Sequence, residues 1–173
     1  FSMYLKTENL QLTGSFKLRG AYNMISQLSE EQKACGVIAS SAGNHAQGVA
    51  LAARTFGVPA TIVMPEGAPL AKIKATRELG AEVVLKGQVY DDAYAHACQL
   101  QKESGATFIH PFNDPMVIAG QGTIALELIE QLDKIDAVLV PIGGGGLIAG
   151  VAYTIKMLNP NVKVYGVQVS GAP

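Results

Sequence analysis

The sequence predicts an α/β fold of parallel sheets with helices on both faces. Three observations predict it. Short apolar runs alternate with stretches of helical period along nearly the whole chain, the pattern of successive βαβ units. The strand candidates are Val/Ile/Leu-rich runs, as strands buried on both faces should be. Glycines stand just past three helical patterns, at Gly57, Gly80 and Gly105, where left-handed C-caps are expected.

In chain order, Met3–Lys6 is a strand-like run and Phe16–Leu28 has helical period. Ser29-Glu-Glu-Gln32 has the form of a capping box before a short helix. Strand Val37–Ser40 feeds helix Asn44–Phe56, strand Ala60–Met64 feeds helix Ala71–Leu79, and strand Glu82–Leu85 feeds helix Tyr90–Ser104. Strand Thr107–Ile109 leads into His110-Pro-Phe-Asn-Asp-Pro115, a polar segment with two prolines that suits a domain crossover, and then into helix Val117–Leu132. Strand Ala137–Pro141, four glycines, helix Leu147–Leu158 and strand Val162–Val169 complete the series. The chain opens at Phe1 and closes at Pro173 beside strand-like runs, so it reads as a fragment of a longer protein.

Composition excludes several classes. The 173 residues suffice for one or two small domains with a real core. A net charge of −1 without blocks of like charge argues against a nucleic-acid or anionic-membrane surface. No apolar stretch has transmembrane length and no signal peptide is visible. Cys35 and Cys98 lie far apart without CxxC pairing and read as reduced thiols of a cytoplasmic protein. His45, His96 and His110 show no metal-ligand spacing, so no metal site is expected.

Gly143 to Gly146 carry the strongest chemical signal. They join an apolar strand to an amphipathic helix, an arrangement that aims backbone N–H groups and the positive end of a helix dipole at an anion. Each glycine costs roughly 0.4–1 kcal/mol in chain entropy relative to alanine. So long a run implies close approach to bare backbone, with a phosphate as the natural ligand; the bland reading is a permissive turn. Gly144-x-Gly146-x-x-Ala149 also matches a loose dinucleotide fingerprint, but the next strand ends Gly166-Val-Gln-Val-Ser170 without the acidic residue that would hold a ribose. A P-loop fails because no Gly-Lys-Ser/Thr follows.

Two further features lie beside helix starts. Lys17 stands near a helix N-terminus and two residues from Arg19, where two positive neighbours lower an amine's pKa and burial would lower it further; a neutral lysine can form a Schiff base with a carbonyl. A solvated surface lysine is the bland reading. Phe16 beside it reads as a stacking face or as core. Ser40-Ser-Ala-Gly-Asn-His45 is a small-residue turn whose N–H groups suit a carboxylate, and helix capping by Ser40, Ser41 or Asn44 is the equally simple alternative.

Ser15-Phe-Lys-Leu-Arg-Gly20, Ser41-Ala-Gly-Asn-His45, Ala119-Gly-Gln-Gly-Thr123 and Gly143-Gly-Gly-Gly-Leu147 occur in the order and approximate spacing of the threonine dehydratases (threonine deaminases), and the resemblance spans nearly all of the chain. These are fold-type II, tryptophan synthase β-like enzymes that use pyridoxal 5′-phosphate (PLP). The resemblance implies that Lys17 holds PLP covalently and acts as the catalytic base. It implies that Phe16 packs near the ring and Asn44 hydrogen-bonds its 3′-oxygen. Gly143, Gly144, Gly145, Gly146 and Leu147 would bind the phosphate, and Ser41, Ala42, Gly43, Asn44 and His45 the substrate carboxylate. The activity implied is dehydration and deamination of L-threonine or L-serine to 2-oxobutanoate or pyruvate and ammonia, in a biosynthetic (isoleucine) or a catabolic form.

Serine racemases and serine dehydratases belong to the same family. In the racemases a serine stands where this chain has Ala42, and alanine cannot carry a proton, which favours dehydration. The family pattern also implies a small domain over residues 36–113 and a large PLP-binding domain over 1–35 and 114–173. A Ser or Cys for the pyridine nitrogen would fall beyond Pro173, and the full-length protein would be a homodimer or homotetramer. From another class, a non-catalytic amino-acid or phosphate-binding module on this scaffold remains the alternative.

Overall fold

The computed structural model describes residues 2–171; Phe1, Ala172 and Pro173, which include both chain ends noted above, lie outside the described residues. The elements are a 3₁₀ turn at Glu8–Leu10, α1 (Lys17–Ser26), α2 (Glu30–Cys35), β1 (Val37–Ser40), α3 (Asn44–Phe56), β2 (Ala60–Met64), α4 (Leu70–Glu78), β3 (Glu82–Leu85), α5 (Tyr90–Ser104), β4 (Thr107–Phe108), α6 (Pro115–Gln131), β5 (Ala137–Pro141), α7 (Gly146–Leu158) and β6 (Lys163–Val167).

Local signals produce most of these boundaries. Ser29 and Gln32 form the capping box of α2. Gly57 and Gly105 close α3 and α5 in the left-handed conformation, and Gly80, two residues past the end of α4, has φ +95°. Pro115 occupies the first turn of α6 and the Asp114 carboxylate accepts from the Met116 and Val117 N–H groups, so the helix begins before Val117.

Three strand expectations are corrected. Met3–Lys6 forms no strand. Among the described residues no strand pairs with it, and its end is held by Lys6, whose ammonium pairs with Glu127 and donates to Gln131 Oε1 at 3.0 Å. β4 stops at Phe108: the Ile109 N–H still bonds to Ile38 O, but its carbonyl turns away to a side chain of α3. The last strand is likewise shorter than Val162–Val169, because β5 offers only five register partners, Ala137 to Pro141.

The first sheet is parallel throughout, in the order β3-β2-β1-β4. From β1 the chain moves one way through α3 and α4, then returns past β1 through α5. Right-handed crossovers in opposite directions cover opposite faces. Accordingly Val37, Ala39, Ile62 and Met64 pack with Val49, Ala50 and Ile73 of α3 and α4, whereas Ile38, Val63 and Val84 pack with Ala93 and Ala97 of α5. The second sheet pairs β5 with β6 in parallel, and its buried Val140 packs with Ile124 and Ala125 of α6 and Val151 and Ile155 of α7.

The Ala119-Gly-Gln-Gly-Thr123 motif joins these two parts. A Cβ on Gly120 would lie 2.6 Å from the Gly20 Cα of α1, and one on Gly122 would lie 3.1 Å from the Gly150 carbonyl oxygen of α7. Glycine therefore lets three helix backbones approach where a methyl group would hold them apart. Gln121, fully buried between them, accepts from the Gly20 N–H at 3.2 Å. This seam places the start of α1, which carries Lys17, beside the start of α7, which carries the glycine loop.

Candidate functional site

β1 and β4 are neighbours, but the helix that follows β1 (α3) and the helix that precedes β4 (α5) cover opposite faces of the sheet. The crevice at their carboxyl ends is a topological switch point, where open parallel sheets bind ligands. Two loops meet there: residues 41–43 before α3, and residues 109–114 before α6. The His45 imidazole spans them, with Nε2 at 2.8 Å from Ile109 O. A carbonyl oxygen can only accept, so Nε2 carries the proton and Nδ1 is left as a buried acceptor without a partner among the described residues.

Lys17 reaches the same crevice from α1. Its Nζ donates to the Pro111 carbonyl oxygen at 2.6 Å and stands 5.5 Å from the centroid of the Phe16 ring. Behind it α3 packs so closely that a Cβ on Gly48 would lie 3.0 Å from the Lys17 carbonyl carbon. Phe16 and Leu147 both pack against the cluster formed by α6, α7 and β5.

The residue after Pro111 meets the glycine loop. A side chain at Gly144 would strike the Phe112 ring, and one at Gly146 would lie 2.7 Å from the Phe112 carbonyl oxygen. Gly145 adopts φ +86° as the N-cap of α7, a conformation that favours glycine. Gly143 and Gly145 face open space. Two of the four glycines thus accommodate Phe112 and one makes the turn, while Gly143 and Gly145 leave bare backbone accessible. His110 shapes the Phe112 turn: its Nδ1 accepts from the Phe112 and Asn113 N–H groups at 3.3 and 2.8 Å.

Both helix starts at the crevice lack a side-chain cap. α3 begins after Gly43 and α7 after Gly145, neither with a side-chain acceptor, whereas α2 and α6 are capped by Ser29 and Asp114. The alternative in which Ser40, Ser41 or Asn44 caps α3 is not realised. Ser41 Oγ accepts from the Gly43 N–H at 3.2 Å, ahead of the helix, and Ser40 Oγ is buried with no partner. The first N–H groups of α3 and α7 therefore remain for an anion. Ala42 is half-buried against the core and Asn44 is exposed at the start of α3.

Burial lowers the Lys17 pKa, and burial alone does so. The expected contribution of Arg19 is absent because its charge is compensated. Its guanidinium bonds both oxygens of Glu8, at 2.8 and 2.9 Å, and both oxygens of Glu127, at 2.5 and 2.8 Å. Residues two apart on a helix also face different ways. Hydrogen bonding to Arg19, opposed by partial burial, holds the Glu127 carboxyl down at about 2.

Burial likewise drives the His45 pKa down to about 4, against the Ile109 carbonyl bond that would raise it, and Lys17 and His110 add to the lowering. Because the folded value lies below the unfolded one, protons favour the unfolded chain. The stability contribution is complete above about pH 6.5 and is lost as pH falls toward 4, a change on the order of 3 kcal/mol. Acid melts of the full-length protein should therefore show a steeper stability loss in that window than melts of His45→Gln. Parallel curves would refute this account of His45.

A family model described as pyridoxal-phosphate dependent enzyme matches residues 1–173, the whole chain. The chain belongs to the pyridoxal-phosphate dependent enzyme family. Within the family it is 63% identical over 171 residues to L-threonine ammonia-lyase of Thermotoga maritima, covering 99% of this chain and 43% of that protein. It superposes on the processed form of threonine deaminase isoform 2 from Solanum lycopersicum with a TM-score of 0.95 at 54% identity, covering 97% of this chain and 49% of that one. It superposes on maize serine racemase with a TM-score of 0.92 at 43% identity, covering 95% of this chain and 50% of that one. The chain thus spans about half the length of the relatives it matches. Among the described residues no helix is long and apolar enough to cross a membrane, and no group of three or more His, Cys, Asp or Glu side chains could hold a metal ion.

The chemistry of the crevice suits the group this pyridoxal-phosphate dependent family carries. An aldehyde calls for an unprotonated amine, and Lys17 is half-buried with its basicity lowered. A phosphate calls for N–H donors and room against the backbone, which the uncapped start of α7 and the open positions at Gly143 and Gly145 offer. Three members of the site were not read from the sequence. Pro111 contributes a backbone carbonyl, which leaves no residue-type signal. Phe112 looks like any core aromatic. Lys72, whose Nζ lies 3.4 Å from Asn44 Oδ1, sits in a different helix, 28 residues away. The position of residues 109–114 just past a parallel strand was the one available clue to the first two.

Proposed function

We propose that the full-length enzyme dehydrates and deaminates L-threonine, and L-serine, to 2-oxobutanoate or pyruvate with release of ammonia. The observation that carries the reading is the Lys17 amine, half-buried and hydrogen-bonded to Pro111 in a crevice flanked by two uncapped helix starts. The named relatives, L-threonine ammonia-lyase and threonine deaminase, point to the same substrate class.

In this reading Lys17 would hold PLP through its amine and would act as the base toward the substrate α-proton. PLP, when bound, supplies an electrophilic carbon for the amine and a ring that takes up the charge left by that proton. Gly143 to Gly146 and Leu147 would hold the phosphate through backbone donors. Phe16 would pack beside the ring, and the Asn44 amide would donate to the 3′-oxygen. The backbone of Ser41 to His45 orients the substrate carboxylate at the start of α3, where the helix dipole favours negative charge. The His45 side chain is committed to Ile109, so it braces the loop and leaves substrate contact to its N–H.

The likeness to maize serine racemase keeps racemisation in view. A racemase needs a second proton-carrying group on the opposite face of the reacting centre, and the methyl of Ala42 cannot serve. Full-length enzyme incubated with L-threonine and L-serine should release 2-oxo acid, with D-serine at no more than a trace in chiral chromatography. Substantial D-serine would overturn the dehydratase reading. Absence of both products would favour a binding module without catalysis.

We also assign residues 36–113 to a small domain and residues 1–35 and 114–173 to the PLP-binding domain. The separate four- and two-stranded sheets support that division. A homodimer or homotetramer is the assembly this reading carries, and the free Cys35 and Cys98 thiols support a reducing, cytoplasmic compartment.

A further inference from the structure

Lys72 presents a charge without an acidic partner. Its backbone is fixed in the first turn of α4: its N–H bonds to Pro69 O at 2.9 Å, and its carbonyl accepts from the Thr76 hydroxyl at 2.8 Å. The side chain crosses to α3 and places Nζ 3.4 Å from Asn44 Oδ1. Among the described residues no carboxylate lies within ion-pair distance of it. A cation beside the positive end of the α3 dipole is unfavourable on its own and becomes favourable when an anion joins them.

The same contact orients Asn44. An ammonium has donors only, so the end of the Asn44 amide that faces Lys72 must be the oxygen. The amide nitrogen is thereby turned to the other side, where its hydrogens have no protein acceptor among the described residues.

We infer that Lys72 is a positioning residue: it holds Asn44 Oδ1 so that Nδ2 donates to the anionic 3′-oxygen of PLP. Its positive charge also polarises that amide and strengthens the donor. This rests on the reading of Asn44 given above and adds a residue that the motif itself does not contain.

The test is a double-mutant cycle in the full-length protein, with Lys72→Met, Asn44→Ala and the pair, plus Lys72→Arg as the conservative variant. The primary readout is the PLP dissociation constant, from fluorescence titration of the apoenzyme. The second is the pH dependence of the bound cofactor's absorption, which responds to hydrogen bonding at the 3′-oxygen. Lys72→Met should weaken PLP binding by about tenfold, the size of one charge-assisted hydrogen bond, and shift the absorption profile. Lys72→Arg should restore most of the affinity. In the Asn44→Ala background Lys72→Met should add little. Native affinity in Lys72→Met, or an undiminished Lys72 effect without Asn44, overturns the inference alone. Unchanged PLP affinity in Asn44→Ala overturns the reading of Asn44 and the inference together.

Discussion

Lys17→Ala in the full-length enzyme should abolish borohydride-stable labelling by PLP at this position and lower 2-oxo acid production by about 10³-fold or more, as expected for loss of both the covalent attachment and the base. The fold should survive. Lys17 spends its ammonium on one backbone acceptor, Pro111 O, and α1 is held by its own apolar face, through Ala21 and Ile25, and by the Arg19 clusters with Glu8 and Glu127. The check is mass spectrometry of the reduced protein together with a coupled assay for 2-oxo acid. A fully active, unlabelled variant would remove Lys17 from the chemistry. A labelled variant would show that another lysine carries the cofactor.

A large loss of stability is expected from Gly150→Ala. On an exposed helix face this change would stabilise by roughly 1 kcal/mol through helix propensity. Here the new methyl group would fall onto the Ile118 carbonyl oxygen and lie 2.7 Å from the Gly122 nitrogen, both backbone atoms of α6 that cannot rotate aside. Separating α6 from α7 opens the cluster of Ile124, Ala125, Val151 and Ile155, so a net loss of about 2–3 kcal/mol is expected from overpacking. Thermal or urea unfolding measures it, with Gly67→Ala as the control because a Cβ there meets nothing within 4 Å. The same variant should weaken PLP binding, since the displaced α7 carries the glycine loop on its first turn. Native stability in Gly150→Ala would mean that the seam tolerates separation.

Much of the local architecture was legible because its causes are local. The parallel strands announce themselves as apolar runs, and β1, β2, β3 and β5 occupy the expected residues. The Ser29–Gln32 capping box and the glycines after α3, α4 and α5 act within a few residues of where they stand. Met3–Lys6 failed as a strand for the complementary reason: a strand needs a partner, and pairing is not encoded in the run itself.

For the site, residue chemistry pointed to the glycine loop, the Ser40–His45 turn and Lys17, but their division of labour was not visible. The four glycines read as a single phosphate cradle, whereas Gly144 and Gly146 are glycine because Phe112 lies against them. The proximity of Arg19 in sequence suggested an electrostatic effect on Lys17, whereas Glu8 and Glu127 absorb that charge and burial alone lowers the amine. In both cases the deciding partner lies tens of residues away or on another face of the helix.

The sequence by itself determined the α/β class, the helix and strand limits to within a few residues, and the residue types available for chemistry. Periodicity, caps and turns depend on near neighbours, which the chain lists in order. Only the tertiary structure decided that Pro111 faces Lys17 across 94 residues, that Phe112 fills the glycine loop, and that Lys72 meets Asn44. Those contacts depend on the reversal of strand order at β1 and β4 and on the glycine seam between α1, α6 and α7, where backbones approach to distances set by packing in three dimensions.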